Sequence, residues 1–552
     1  MTKEKQQWGS RIGLILAMAG NAVGLGNFLR FPAQAVQNGG GAFIIPYLVC
    51  FVLMGIPLLW IEWSMGRYGG RFGNHSTPFI LNEMGKKALW KYIGVFGIFT
   101  NVAVAAYYCY IESWTMSYVM HSVMGTFSGM DRNAVAAFFD NYVDIGTSTT
   151  GIPYEAVIFY LLCLLLNTYI LSKGLDGVEK VAKIGMPLLI LFGIFLAIRA
   201  ITLQAGESGA VYAGTEGLNY LWTPDFTSLY NPNVWLAAAG QIFFTLSVGM
   251  GTVHCYASYL NSRDDVALNA MSAGWMNEFV EVVVGASIVI PITVGYFGVE
   301  GMLEIAKQGS FALGFKTMPY LFYQWGSILA PVAGVMFFGL LFFAGITSSL
   351  AMGTPWMGFM HDEYGWGRKL GAWSFGLFVL VLGLPTVFFY QYGVFDEYDD
   401  WAGTNSLFVF ALAETVLFAW IFGMKKGWQE ITLGADFKVP GFFRYVIGYI
   451  TPVLLLLVFL ANIIKPVDND WGMAFSGLFS GEGWPLDNGS LIRKITMNGL
   501  RGEIAAETDN VKRAFLEKKL TFTIIARLIL VAAFLFISFL VYRASRLRSK
   551  KF

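Results

Sequence analysis

Two apolar stretches of this chain are interrupted by glycine clusters, Gly20-Asn21-Ala22-Val23-Gly24-Leu25-Gly26 and Ser247-Val248-Gly249-Met250-Gly251. Neutral oxygen-bearing side chains gather around them. Asn21 and Asn27 accompany the first break, Thr245 and Ser247 the second, while Asn277 and Thr347-Ser348-Ser349 lie in later apolar runs. Main chain forced out of a helix frees carbonyls that ligate a small hard cation, and half-helix N-termini attract an anion. Hydroxyls, amides and carbonyls suit sodium better than imidazole or thiolate would. A single hydroxyl in an apolar helix ordinarily bonds its own helix, but this many around two breaks point to a binding site.

The elements that hold such residues have to lie in lipid. The 552 residues are 56% hydrophobic, 16% aromatic and 13% charged, with mean hydropathy +0.57, against about 25% charged in soluble chains. A soluble multidomain enzyme is excluded. A net charge of +1 gives no reason to expect nucleic acid or an acidic partner. The 63 glycines suit helices packed closely in a bilayer. Cys50, Cys109, Cys163 and Cys255 read as isolated apolar thiols, and His75, His121, His254 and His361 are too scattered for a ligand cluster. Arg11 and Arg30 bracket 18 uncharged residues with no cleavage site, which reads as a retained first span and not a leader.

A helix crosses a bilayer with about 20 apolar residues. Twelve segments qualify: 11–36, 41–66, 89–122, 154–172, 182–201, 234–258, 267–298, 328–356, 370–390, 402–424, 444–464 and 520–542. The 45 uncharged residues between Lys316 and Asp362 exceed one span, which predicts a re-entrant or interfacial helix before span 8. With the N-terminus inside, 23 of the 37 basic residues fall on inner segments and five on short outer ones. That bias places both termini in the cytoplasm of a plasma-membrane protein. The broken spans are the first and the sixth, so an inverted repeat of five helices is expected, with the site between the breaks.

The expected fold is all-α integral membrane: twelve transmembrane helices, two five-helix inverted repeats (spans 1–5 and 6–10) plus spans 11–12, with spans 1 and 6 unwound mid-membrane. The corresponding divisions are a cytoplasmic tail (1–10), the first repeat (11–201), an outer loop (202–233) and the second repeat (234–424). Spans 11–12 follow (443–543) with a long outer loop (466–519), then a basic cytoplasmic tail (544–552).

The run from Trp8 through Arg11-Ile12-Gly13 to Gly26-Asn27-Phe28-Leu29-Arg30-Phe31-Pro32 resembles the neurotransmitter:sodium symporter family, most closely its bacterial leucine-transporter branch. Asn38-Gly39-Gly40-Gly41-Ala42-Phe43, Tyr107-Tyr108-Cys109-Tyr110, Gly240-Gln241 to Ser247, Phe343-Ala344-Gly345-Ile346-Thr347-Ser348-Ser349 and Trp401-Ala402-Gly403-Thr404 extend the resemblance. Position by position, it implies two sodium sites. The first would use Ala22, Asn27, Thr245 and Asn277 with the substrate carboxylate; the second would use Gly20, Val23, Ala344, Thr347 and Ser348. It also implies a pocket in which Asn21, Ala22, Leu25, Gly26 and Tyr108 hold a carboxylate. Ala22, Phe244, Thr245 and Ser348 would meet the ammonium, and Val104, Phe244, Ser247, Met250 and Met352 would wrap the side chain. Gly24 stands where monoamine carriers place an aspartate, which favours a neutral amino acid as cargo. Methionine at 250 and 352 replaces phenylalanine and isoleucine of the leucine-type pocket. The sequence leaves these two open between facing a large apolar or aromatic substrate and filling volume.

Arg30 and Asp399 resemble the outer gate. Tyr259 and Asp362 resemble the inner one, with Lys5 in place of its usual arginine, a change that loses the bidentate fork. Glu281 stands where chloride-dependent relatives have serine, beside Tyr47, Gln241, Thr245 and Asn277, so no chloride is expected. Protonation of Glu281 on the empty return step would give sodium in, proton out. Glu62, Glu112 and Glu414, also in apolar spans, read as structural hydrogen-bonding groups. Other readings left open are an amino-acid sensor on the same scaffold and a channel, as is a monomer against a dimer.

Overall fold

The computed structural model describes residues 8–144 and 152–550, and every described element is helical apart from two isolated bridges. Lys5 lies outside the described residues. The chain starts with α1 (Arg11–Ala22) and α2 (Leu25–Gln37), bent 47° from each other. The membrane-length helices α3 (Gly41–Gly70), α4 (Ala88–Met124), α5 (Tyr154–Leu171) and α6 (Leu175–Thr202) follow. Next come α7 (Pro232–Leu246) and α8 (Thr252–Ala257), separated by Ser247–Gly251. The remainder is α9 (Val266–Lys307), α10 (Gly326–Tyr364), α11 (Arg368–Phe388), α12 (Val394–Thr432), α13 (Phe443–Ile463) and α14 (Asn510–Ser549).

Ten of these helices are long and apolar enough to cross a membrane, or eleven if α1 and α2 count as one span. They coincide with eleven of the twelve expected segments. The twelfth, 234–258, falls in two helices too short to qualify, because the break divides it. The long uncharged run before Asp362 has a simple cause. It is mostly α10, whose 39 residues extend to about 58 Å at 1.5 Å per residue, well beyond the hydrocarbon thickness. A short helix at Met318–Tyr323 precedes it.

Local chemistry sets the breaks. Ser10 caps α1 by accepting from the Gly13 N–H at 3.0 Å. At the far end Val23 turns extended, and Asn27 Oδ1 accepts from the Gly24 N–H at 2.8 Å, which restarts the helix as α2. Helix α7 ends at Ser247 in a left-handed conformation with φ 52°. Gly249 (φ 74°) and Gly251 (φ 88°) then take angles that side-chain-bearing residues rarely adopt.

Helices α4 and α10 pack along each other at the centre, and α1, α5, α6 and α11 surround them. Glycine permits this closeness: a Cβ at Gly66 of α3 would lie 2.4 Å from the His254 carbonyl of α8. The outer faces remain apolar and exposed, as with Ile184, Leu191 and Ile198 on α6 and Leu528, Val531 and Leu535 on α14. Helices of this length and polarity pattern make a multi-pass membrane protein.

Candidate functional site

The two breaks touch. Ser247 Oγ donates to the Asn21 carbonyl at 2.9 Å, and Ser348 Oγ of α10 donates to the Gly20 carbonyl at 3.2 Å. Between them lies a cavity lined by Ala22, Gly24, Gly26, Asn27, Val104, Tyr108, Phe244, Thr245, Ser247, Met250, Ser348 and Met352, together with Tyr107, Gly403 and Leu407. Its volume is about 30 Å³, close to one water's share of liquid. A larger occupant therefore requires side chains to move. Phe244 is the obvious mover: its ring sits where a Gly26 Cβ would be (2.4 Å) and lies 4.2 Å beneath the Arg30 guanidinium.

The structure brings nearly all the expected pocket residues to this cavity. Asn21 and Leu25 take part through main chain: the Asn21 carbonyl accepts from Ser247, and the Leu25 N–H donates to Tyr108 Oη at 3.1 Å. Tyr108 thus keeps its own O–H proton for another acceptor. Met250 and Met352 both line the cavity. Tyr107, Gly403 and Leu407 were missed, since nothing in their spacing relates α4 or α12 to the breaks.

Side chains expected at the two cation sites lie together in two groups. Asn27 Nδ2 donates to Thr245 Oγ1 (3.2 Å) and to Asn277 Oδ1 (2.8 Å), and Asn277 Nδ2 donates to Thr245 Oγ1 (3.0 Å). In the second group, Thr347 Oγ1 and Ser348 Oγ each lie 3.2 Å from the Ala344 carbonyl, and a Gly20 Cβ would meet Thr347 at 2.8 Å. Val23 is fully buried beside them. The second group offers hydroxyl and carbonyl oxygens, whereas in the first Asn27 and Asn277 turn amide N–H groups toward Thr245 and Asn27 Oδ1 is taken by the Gly24 N–H.

Glu281 adjoins the first group, within a π-helical segment of α9 (Phe279–Gly285), a distortion frequent at functional sites. Its carboxylate accepts from Gln241 (2.6 Å), Asn27 (3.0 Å) and the Thr245 hydroxyl. A second acid, Glu278, is also buried, and Asn277 reaches it at 3.4 Å. Sequence reasoning overlooked Glu278; its three-residue spacing from Glu281 on one helix was the available signal.

Among the described residues no ion pair joins Arg30 to Asp399; Tyr107 Oη donates to Asp399 at 2.7 Å. Neighbouring acids are engaged as well, Glu397 by Arg527 (2.7 Å) and Asp400 by Lys494 from the 466–519 loop. At the opposite end His75, unremarkable in sequence, stacks on Tyr259 at 4.3 Å and donates its backbone N–H to Asp362 at 2.8 Å. The three line a second cavity of about 310 Å³. Trp8 closes beside it, its indole N–H on the Tyr256 carbonyl at 3.1 Å.

Comparison with known proteins gives one consistent relationship. The profile of the Sodium:neurotransmitter symporter family matches residues 5–134 and 125–476. An uncharacterized sodium-dependent transporter of Methanocaldococcus jannaschii is 30% identical over 480 residues, covering 85% of this chain and 92% of its own. A sodium-dependent nutrient amino acid transporter of Drosophila persimilis is 22% identical over 516 residues, covering 84% of this chain and 75% of its own. The crystal structure of MhsT in complex with L-phenylalanine matches with TM-score 0.71 at 27% identity, over 83% of this chain and 99% of that one.

The second oxygen cluster generates a direct prediction. Replacing Thr347 and Ser348 together by alanine removes two hydroxyls from a dry site, each a loss of about 1–3 kcal/mol. The sodium concentration needed for half-maximal thermal stabilisation of the purified protein should rise at least about tenfold. An unchanged sodium titration in a folded double variant would remove these hydroxyls from the ligand set.

Proposed function

Because this chain belongs to the sodium:neurotransmitter symporter family, whose members are transporters and not enzymes, we propose that it imports neutral L-amino acids with large apolar or aromatic side chains, driven by sodium. The observation that carries the amino-acid reading is the space at Gly24. A Cβ there would meet Tyr108 Oη at 2.8 Å and Ser348 Oγ at 3.2 Å, so no side-chain carboxylate from position 24 fits without displacing them. The carboxylate must come with the substrate. It meets the Tyr108 hydroxyl proton, freed for it because the Leu25 N–H already occupies the oxygen. The nutrient amino acid transporter and the phenylalanine-bound MhsT among its relatives support the same class.

Sodium enters through two sites, Ala22, Asn27, Thr245 and Asn277 with the bound carboxylate, and Gly20, Val23, Ala344, Thr347 and Ser348. When the substrate carboxylate completes the first shell, each ligand raises the other's affinity, which is the basis of coupling. Glu281 supplies the negative charge that chloride would otherwise bring, and takes up a proton on the empty return step. Alternating access proceeds between the Arg30–Asp399 mouth and the Tyr259–Asp362 mouth of a plasma-membrane protein with both termini in the cytoplasm. Uptake of an amino-acid panel into proteoliposomes, with and without an inward sodium gradient, tests the whole reading. Accumulation independent of sodium, or of no amino acid at all, overturns it.

Two variants sharpen it. Met250→Phe narrows the pocket beside Met352 and should shift preference from bulky toward smaller aliphatic amino acids, by about 1–3 kcal/mol between competitors; an identical competition profile removes Met250 from the specificity surface. Wild-type uptake should not respond to replacing chloride by gluconate, whereas Glu281→Ser should become chloride-stimulated. Full chloride-independent transport by Glu281→Ser would show that the acid replaces no anion.

A further inference from the structure

Away from both cation clusters, three titratable side chains from three helices meet in the bundle interior. His254 of α8 presents Nδ1 to Glu62 of α3 at 3.5 Å and Nε2 to Glu414 of α12 at 3.4 Å, and all three side chains are fully buried. Five polar atoms here have no hydrogen-bond partner among the described residues: both His254 ring nitrogens, Glu62 Oε2 and both Glu414 oxygens. The remaining Glu62 oxygen accepts from the Gly249 N–H at 2.5 Å. That N–H belongs to the unwound segment between Ser247 and Met250, both of which line the substrate cavity.

Two carboxylates without compensating charge are not stable in such surroundings, so the arrangement calls for positive charge. One ligand atom from each of the three residues lies within 4.8 Å of the others, so a divalent ion is one way to satisfy it. A protonated imidazole is another, since both nitrogens then donate at once, one to each carboxylate. A proton on a carboxylate supplies any further neutralisation. We propose that Glu62, His254 and Glu414 form a buried proton-binding site, separate from Glu281, whose occupancy is linked to the conformation of the broken helix. The link is the Gly249 N–H, a main-chain donor held on Glu62. Ordering of the break by sodium strengthens that bond and displaces a proton; loss of sodium loosens it and readmits one.

Among the described residues, the charged groups on the helices packed around the site have other partners: Glu278 and Glu281 of α9 are met by Asn277 and Gln241, and Glu112 of α4 by Asn167. Arg67, further along α3, is turned to the Asp264 and Leu433 carbonyls. Asp362 of α10 is held by His75, and Arg11, the one ionisable residue of α1, pairs with Asp436. On α12 the nearest ring to His254 is Phe410, at 6.0 Å.

The inference rests on sodium acting at the breaks, and its test separates the two. The purified full-length protein, in weakly buffered detergent with a pH indicator, receives sodium chloride against choline chloride, while sodium-dependent thermal stabilisation is measured in parallel. His254→Gln should keep the sodium shift and release about one proton fewer per molecule than wild type. Glu414→Gln should do the same, and provides the test if His254→Gln does not fold. Glu281→Ser should retain the His254-dependent proton. Equal release by wild type and both folded site variants overturns the proton site, as does a stoichiometric metal bound by wild type and lost in His254→Gln. A wild type with no sodium shift overturns the sodium reading and the linkage with it.

Discussion

Main chain that leaves a helix in the middle of a bilayer has no water to bond, and each orphaned amide costs several kcal/mol. The rest of this structure is organised around satisfying two such breaks. Asn27 takes the Gly24 N–H, Tyr108 the Leu25 N–H, Glu62 the Gly249 N–H, and Ser247 and Ser348 reach the carbonyls of Asn21 and Gly20. These side chains come from α2, α3, α4, α10 and the second break itself, so the breaks exist only when the bundle is assembled. All of these groups but Glu62 also line the cavity, so stabilising the breaks and building the site are largely one task.

Charge is distributed by the same logic. Glu62, Glu112, Glu278, Glu281 and Glu414 are all at most 3% exposed. Glu112 is tied to Asn167 at 3.1 Å, and Gly345 leaves room against it. Fully buried Arg67 spends its guanidinium on main-chain carbonyls and Glu430, too far along α3 to neutralise this interior. An excess of buried carboxylate is costly unless cations arrive. A member of a sodium-dependent transporter family has those cations for part of its cycle.

The two mouths are built differently. Near Arg30 the acidic segment of α12 is already engaged by Tyr107, Arg527 and Lys494, and Lys494 lies beyond the residues matched by the family profile. At the other end a single histidine bridges Tyr259 and Asp362 above a cavity ten times larger than the one at the breaks.

The sequence by itself determined the spans, the position of both breaks and the oxygen-bearing residues around them, because lipid imposes a length and a polarity on every crossing segment and glycine marks where a helix gives way. It could not determine which distant residues converge. His254 looked isolated because its partners lie 192 and 160 residues away in the chain, and His75 because Asp362 is 287 residues away. Glu62 and Glu414 looked like structural acids, and Met250 and Met352 were undecided between packing and pocket. Only helix packing shows where these side chains lie, since the direction of a side chain around a helix buried on all sides leaves no periodic trace in the sequence, and contacts between helices far apart in the chain exist only once the bundle has closed.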